Sequence, residues 1–128
     1  MKNKIEIIAE IAQGYEGNEK LINLLTRGAI ASNADAVKFQ LVYADELATP
    51  DYEYYELFKD LEMDKSIWID VCNQIHNAGK KVYFDVFGLL SLDVAKEIGA
   101  DGVKLSTTEF YNNALFDRAI AQFDTLYL

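Results

Sequence analysis

The segment Ala34-Asp35-Ala36-Val37-Lys38-Phe39-Gln40 recurs in outline at Ala100-Asp101-Gly102-Val103-Lys104-Leu105-Ser106. Each copy reads as a short β-strand entered straight from a helix. Side chains alternate across a strand, so Val37, Phe39 and Leu41 share one face while Ala36, Lys38 and Gln40 share the other. A lysine and a glutamine near the C-terminal end of a buried strand are costly unless they meet a partner or a ligand. Two copies imply a repeated β/α layout with polar groups gathered at the strand ends.

The rest of the chain fits that layout. Residues 5–11 read as a first strand, with Ile5, Ile7, Ala9 and Ile11 on one face. Glu6 stands at its entry end, where solvation suffices, and Glu10 at its exit, before a turn holding Gly14 and Gly17. Asn18 suits the cap of a helix whose Leu21, Leu24, Leu25, Gly28 and Ala29 recur at helical spacing, with Asn33 as its left-handed stop. After the second strand comes an irregular stretch, 43–63, with the sole proline, Pro50, and an acidic-aromatic run that predicts one short helix over 52–59. Asp64 is placed to cap a helix over 65–78 that buries Ile67, Trp68, Val71, Ile75 and Ala78, with Cys72 as a small core residue and His76 on the surface. A third strand, 81–87, sets Asp85 near its end. Ser91 is read as the cap of the following helix, which stops at Gly99. The fourth strand, 102–106, leads into Thr107, a helix over 113–122 follows, and 125–128 begins a fifth strand.

The 128 residues suit one domain, and the formal net charge of −9 argues against nucleic acid or anionic membrane as a partner. Local lysines still suit a small anion. One cysteine rules out an internal disulfide framework. No apolar run is long enough to cross a bilayer, and Glu6 and Glu10 interrupt any signal-peptide pattern, so the expected address is the cytoplasm.

Strands alternating with helices imply a parallel sheet with right-handed crossovers. A doubly wound sheet and a β/α barrel both satisfy that. The first strand–helix turn lacks the Gly-x-Gly-x-x-Gly dinucleotide fingerprint. Barrel enzymes place their sites at the C-terminal ends of the strands, where Glu10, Lys38, Gln40, Asp85, Lys104 and Ser106 all fall. An internal ion-pair network is the competing account of the same residues. A whole barrel takes about 250 residues, so the expectation is an α/β chain forming the first half of a (β/α)8 TIM barrel. Residues 1–128 would be one partial domain of about four βα units plus the start of a fifth strand. Its open edges call for a partner: the rest of a longer parent, a complementary half-barrel or a second copy in a homo-oligomer.

At this point the residues resemble the sialic acid synthase family, the phosphoenolpyruvate-dependent synthases of nonulosonic acids. The resemblance rests on Ala9-Glu10-Ile11, Gly17, the 34–40 segment, the Tyr55-Glu56-Leu57-Phe58-Lys59-Asp60-Leu61-Glu62 stretch with Trp68 beyond it, and Val103-Lys104-Leu105-Ser106. It implies condensation of phosphoenolpyruvate with an N-acylmannosamine-type amino-sugar aldehyde, assisted by a divalent metal, manganese or magnesium. It implies Glu10 as the catalytic carboxylate beside the reacting carbons, and Lys38, Gln40 and Lys104 as substrate contacts. Two lysines suit a carboxylate and a phosphate. The family usually follows strand four with a Ser and a Gly, where Thr107 and Thr108 stand here; Thr107 keeps a hydroxyl to donate, and Ser106 and Thr107 are expected as further substrate contacts. Asp85 stands where the family has a phosphate-binding hydroxyl, and an acid there repels an anion. The family's first turn commonly reads Asn-His-x-Gly, against Gly14-Tyr15-Glu16-Gly17 here. Its metal-binding histidines, second half-barrel and antifreeze-like domain would lie outside these residues. Two other readings stay open: a non-catalytic half-barrel that assembles with another chain, and another barrel aldolase or lyase acting on a small anion through Lys38 and Lys104.

Overall fold

A computed structural model describes residues 5–128. Five parallel strands, β1 (Ile8–Ala12), β2 (Ala36–Gln40), β3 (Lys81–Val86), β4 (Gly102–Leu105) and β5 (Leu126–Tyr127), form one sheet in the order β1-β2-β3-β4-β5. The connections carry six α-helices: α1 (Glu19–Ala31), α2 (Ala44–Leu47), α3 (Tyr55–Asp60), α4 (Lys65–Asn77), α5 (Leu89–Glu97) and α6 (Asn113–Gln122), with a 3₁₀ turn over Thr107–Glu109. The strictly sequential order has no reversal point, which a doubly wound sheet requires. It is the order of a barrel wall.

The helices all pack against one face. Val37, Phe39, Leu41, Val82, Phe84, Val86, Val103 and Leu105 meet Ile22, Trp68, Val71, Ile75, Leu92, Leu115 and Ala119 in one apolar core. Trp68 sits at its centre, edge-on to Tyr15, Phe39 and Phe84 at ring separations of 5.1, 5.6 and 5.4 Å. The opposite face of the strands carries Glu10, Lys38, Gln40, Tyr83, Asp85 and Lys104.

That second face is concave. Tyr83 on β3 and Tyr127 on β5 donate their hydroxyls to the two carboxylate oxygens of Glu6, each at 2.9 Å. In a flat sheet, strands four positions apart would be about 19 Å apart, beyond the reach of a glutamate and a tyrosine. The contact therefore requires the sheet to curl, as half of a barrel does. Glu6, expected to be solvated, instead closes the floor of this inner face, with Lys81 Nζ also 3.3 Å away.

Several local details differ from the sequence expectation. Strand β1 begins at Ile8, and Ile5 and Ile7 are exposed. On α1 the buried stripe is Ile22, Thr26 and Ala29, while Leu24 and Gly28 point outward. A buried threonine in that stripe disguised which face turns inward. The 43–63 stretch forms two short helices where one was expected. Ala78 lies just past α4 and is exposed, whereas Cys72 is buried as expected. The Asp64 side chain makes no capping bond.

Helix α5 starts after Gly88, not at Ser91. Ser91 lies inside its first turn, where Oγ accepts from the Phe87 and Gly88 N–H groups at 3.0 and 3.2 Å. The carboxylate of Glu46, on α2, accepts from Leu90 N at 2.7 Å and Ser91 N at 3.2 Å. An anion at a helix N-terminus is favourably placed, so Glu46 ties α2 to the start of α5.

Candidate functional site

The inner face ends, at the C-terminal edge of the sheet, in a row of alternating charge. Glu10 on β1 stands in register with Lys38 on β2, Gln40 on β2 with Asp85 on β3, and Asp85 with Lys104 on β4. Parallel strands in register bring side chains of one face side by side. Lys38 Nζ lies 2.6 Å from Glu10 Oε2 and 2.6 Å from Asp85 Oδ1. Lys104 Nζ lies 3.5 Å from Asp85 Oδ2. Glu10, Lys38, Asp85 and Lys104, distant in sequence, thus meet at one place.

Local backbone features aim these groups. Between Glu10 and Ala12 the β1–β2 register slips by one residue, a bulge that bends β1, and Ala12 takes a left-handed φ of 53°. The displaced Ala12 N–H donates to Glu10 Oε1 at 3.0 Å, so one carboxylate oxygen holds the bulge and the other meets Lys38. Tyr15, fully buried, donates its hydroxyl to the Gln40 carbonyl at 2.9 Å. Burial pushes the Tyr15 hydroxyl pKa far above its ordinary range. The altered first turn is therefore a structural tie between the β1–α1 connection and the end of β2. Gly17, at φ +64°, closes that turn where a Cβ would fall 1.8 Å from the Asp60 carbonyl oxygen.

Burial grades the row from closed to open. The Asp85 side chain is 6% exposed, Lys38 12%, Lys104 33% and Glu10 47%. Burial alone would lower the Lys38 pKa, but hydrogen bonds and charge from Asp85 and Glu10 outweigh it and raise the pKa above the ordinary lysine value. Lys38 is a fixed cation, held between two carboxylates. Among the described residues Lys104 pairs with one carboxylate oxygen, at the longer distance, and is the more accessible of the two cations.

Ser106 and Thr107, next but one and next but two along the chain from Lys104, line a cleft of about 600 Å³ that none of the four charged residues of the row lines. Leu105, Phe110, Phe116 and Leu128 give this cleft an apolar wall, and Glu109 and Asn113 add polar groups. Ser106 Oγ accepts from the Thr108 N–H at 3.4 Å and the Thr108 hydroxyl at 3.0 Å, which fixes the 3₁₀ turn. Thr107 stands exposed at the cleft. Of the sequence-derived candidates, Glu10, Lys38, Asp85 and Lys104 form the ion network, Gln40 flanks it in register with Asp85, and Ser106 and Thr107 line a separate cleft. The cleft's Phe110 and Asn113 went unread in the sequence because the cleft follows from how α6 returns against β4. Among the described residues no group of three or more His, Cys, Asp or Glu side chains is placed to hold a metal ion. His76, on α4, lies away from this edge, paired with Asp101 at 2.9 Å. No helix among the described residues is long and apolar enough to cross a membrane.

The curled sequential sheet has close counterparts among solved structures. The N-acetylneuraminic acid (sialic acid) synthetase of Leptospira borgpetersenii, solved with citrate, superposes with a TM-score of 0.83 at 22% identity, over 95% of this chain and 45% of that one. The chain has the fold of the matched part of that synthetase. A spore coat polysaccharide biosynthesis protein E of Chromobacterium violaceum superposes at a TM-score of 0.76 and 20% identity, over 96% of this chain and 40% of that one. An uncharacterised protein of Methanocaldococcus jannaschii is 26% identical over 101 residues, 79% of this chain and 30% of that one. The chain thus spans less than half the length of each of these proteins. No protein-family profile matches it.

Proposed function

We propose that this chain is the N-terminal half of a sialic acid synthase-like barrel, and that its strand ends hold a small anion, phosphoenolpyruvate in the parent reaction. The observation that carries this reading is the convergence of Glu10, Lys38, Asp85 and Lys104 at the C-terminal edge of the inner face. The fold likeness to a sialic acid synthetase supports it, and citrate in that structure is itself a small carboxylate. The anion would approach Lys104, the more accessible cation of the row. Lys38, paired with Glu10 and Asp85, holds Asp85 in place beside Lys104, and Gln40 offers a neutral donor and acceptor to the second substrate. Glu10, exposed at the edge, is placed to orient a water or to stabilise positive charge developing on a reacting carbon.

Condensation of phosphoenolpyruvate with an N-acylmannosamine-type amino sugar is proposed for the closed parent barrel. The described residues provide no cluster fit for manganese or magnesium. Any metal would take its ligands from another part of the parent. Outer strands β1 and β5 each pair on one side only among the described residues. A complementary half-barrel, from the same parent or a second chain, would close the inner face.

A non-catalytic binding module is the second reading, favoured by the near-complete mutual neutralisation of the row. A Schiff-base aldolase through Lys38 is disfavoured, because a lysine with a raised pKa is protonated and not nucleophilic. Calorimetric titration with phosphoenolpyruvate tests the strand-end anion site on which the first reading rests. The proposal expects saturable 1:1 binding that Lys104→Ala weakens at least tenfold. Equal affinity in Lys104→Ala would remove the strand-end site from consideration.

A further inference from the structure

We propose that Asp85 is the ligand-selecting residue of this site: its carboxylate fills the position between Lys38 and Lys104 that an anionic group of a substrate would take. The inference rests on the small-anion reading of the strand ends and adds a competitor built into the chain. Asp85 is 4% exposed and lies on β3, between the strands that carry the two lysines. Its two oxygens are divided between them, Oδ1 at 2.6 Å from Lys38 Nζ and Oδ2 at 3.5 Å from Lys104 Nζ. A carboxylate bridging two cations reproduces the arrangement by which paired lysines hold a carboxylate or phosphate.

The charges support the same conclusion. Glu10 and Asp85 offset Lys38 and Lys104 one for one, so the row offers an incoming dianion no net positive charge. An anion reaching Lys104 must share it with Asp85 and approach a fixed negative charge in a poorly solvated place, where Coulomb repulsion is strong. The contact that must yield is the looser one, at 3.5 Å, while the 2.6 Å pair with Lys38 persists. Asp85 therefore weakens the binding of doubly charged anions, and its remaining acceptor capacity favours ligands that carry a hydroxyl or N–H beside a single negative charge.

The test compares phosphoenolpyruvate and lactate binding, by calorimetry, to the wild-type chain, Asp85→Asn and Asp85→Ser. Circular dichroism verifies folding, and the two variants guard against either one failing to fold. The proposal expects both variants to bind phosphoenolpyruvate at least tenfold more tightly than wild type, with little gain for lactate. Equal phosphoenolpyruvate affinity in wild type and variants overturns the proposal while leaving the anion site standing. Weaker binding in the variants also overturns it, because Asp85 would then be a positioning residue for the lysines. If no form binds either anion, the anion-site reading fails and this inference falls with it.

Discussion

The hydroxyl of Tyr127 donates to the carboxylate of Glu6 at 2.9 Å, joining the fifth strand to the lead-in of the first. Those residues are 121 positions apart in the chain. Their contact measures the curl of the sheet, because only a concave inner face brings its outer strands within side-chain reach. The ring of Tyr83 packs edge-on against that of Tyr127 at 5.3 Å and shares the same acceptor.

This floor is sensitive to acid. Burial raises the Glu6 pKa, but the hydrogen bonds from Tyr127 and Tyr83 and the nearby Lys81 outweigh it, holding the carboxyl below its ordinary value. The folded state then binds the proton less readily than the unfolded chain. The stability Glu6 contributes is complete above the unfolded-chain pKa and is lost as pH falls through the folded-state pKa. Glu6→Gln should cost about 1–2 kcal/mol at neutral pH, and urea midpoints followed downward from pH 6 should fall more steeply in wild type than in the variant. Parallel curves would contradict this.

Removing Lys38 strands two carboxylates. Asp85 is buried, and its remaining cation is the more distant Lys104. Breaking a buried pair from one side costs more than the pair contributes, so Lys38→Met should lose about 3 kcal/mol in urea unfolding. The double variant Lys38→Met with Asp85→Asn should recover part of that loss. A double variant no better than the single one would show that Asp85 tolerates isolation.

Two glycines should respond in opposite ways to alanine. Gly17 sits at φ +64° with the Asp60 carbonyl where a Cβ would go, so Gly17→Ala should cost more than about 2 kcal/mol. Gly28 is an exposed helical position with open space for 4 Å around where a methyl would stand, so Gly28→Ala should gain about 0.5–1 kcal/mol. Thermal unfolding of the two variants checks both signs.

Cys72 is a core residue. Burial pushes its thiol pKa up to about 12, leaving almost no thiolate at neutral pH. Labelling by iodoacetamide at pH 7.5 should therefore be at least a hundredfold slower in the native chain than in urea. Comparable rates would mean that α4 opens readily.

Much of this was legible in the chain. The repeated Ala-Asp-x-Val-Lys pattern gives the strand phase, and the phase alone assigns Lys38 and Lys104 to the inner face. Two residues of that row were harder to read. Asp85 shows as an acid on a strand, but its division between two lysines depends on the register of β2, β3 and β4. Glu10 looks like an ordinary strand-end carboxylate, and its hold on Ala12 follows from a bulge with no glycine to announce it. Glu6 and Glu46 were invisible as acceptors because their donors come from remote segments, Tyr83 and Tyr127 for one and the start of α5 for the other. Alternation gives a residue its face, while the partner it meets depends on tertiary register.

The most direct test of the strand-end site is a ¹⁵N–¹H NMR titration of the chain with phosphoenolpyruvate. Binding there predicts saturable shifts centred on the amides of 104–108, with smaller ones at 10–12 and 85–87, all following one binding curve. Shifts confined to the exposed face of α1 around Lys20 and Arg27, or no shifts at millimolar ligand, would contradict it.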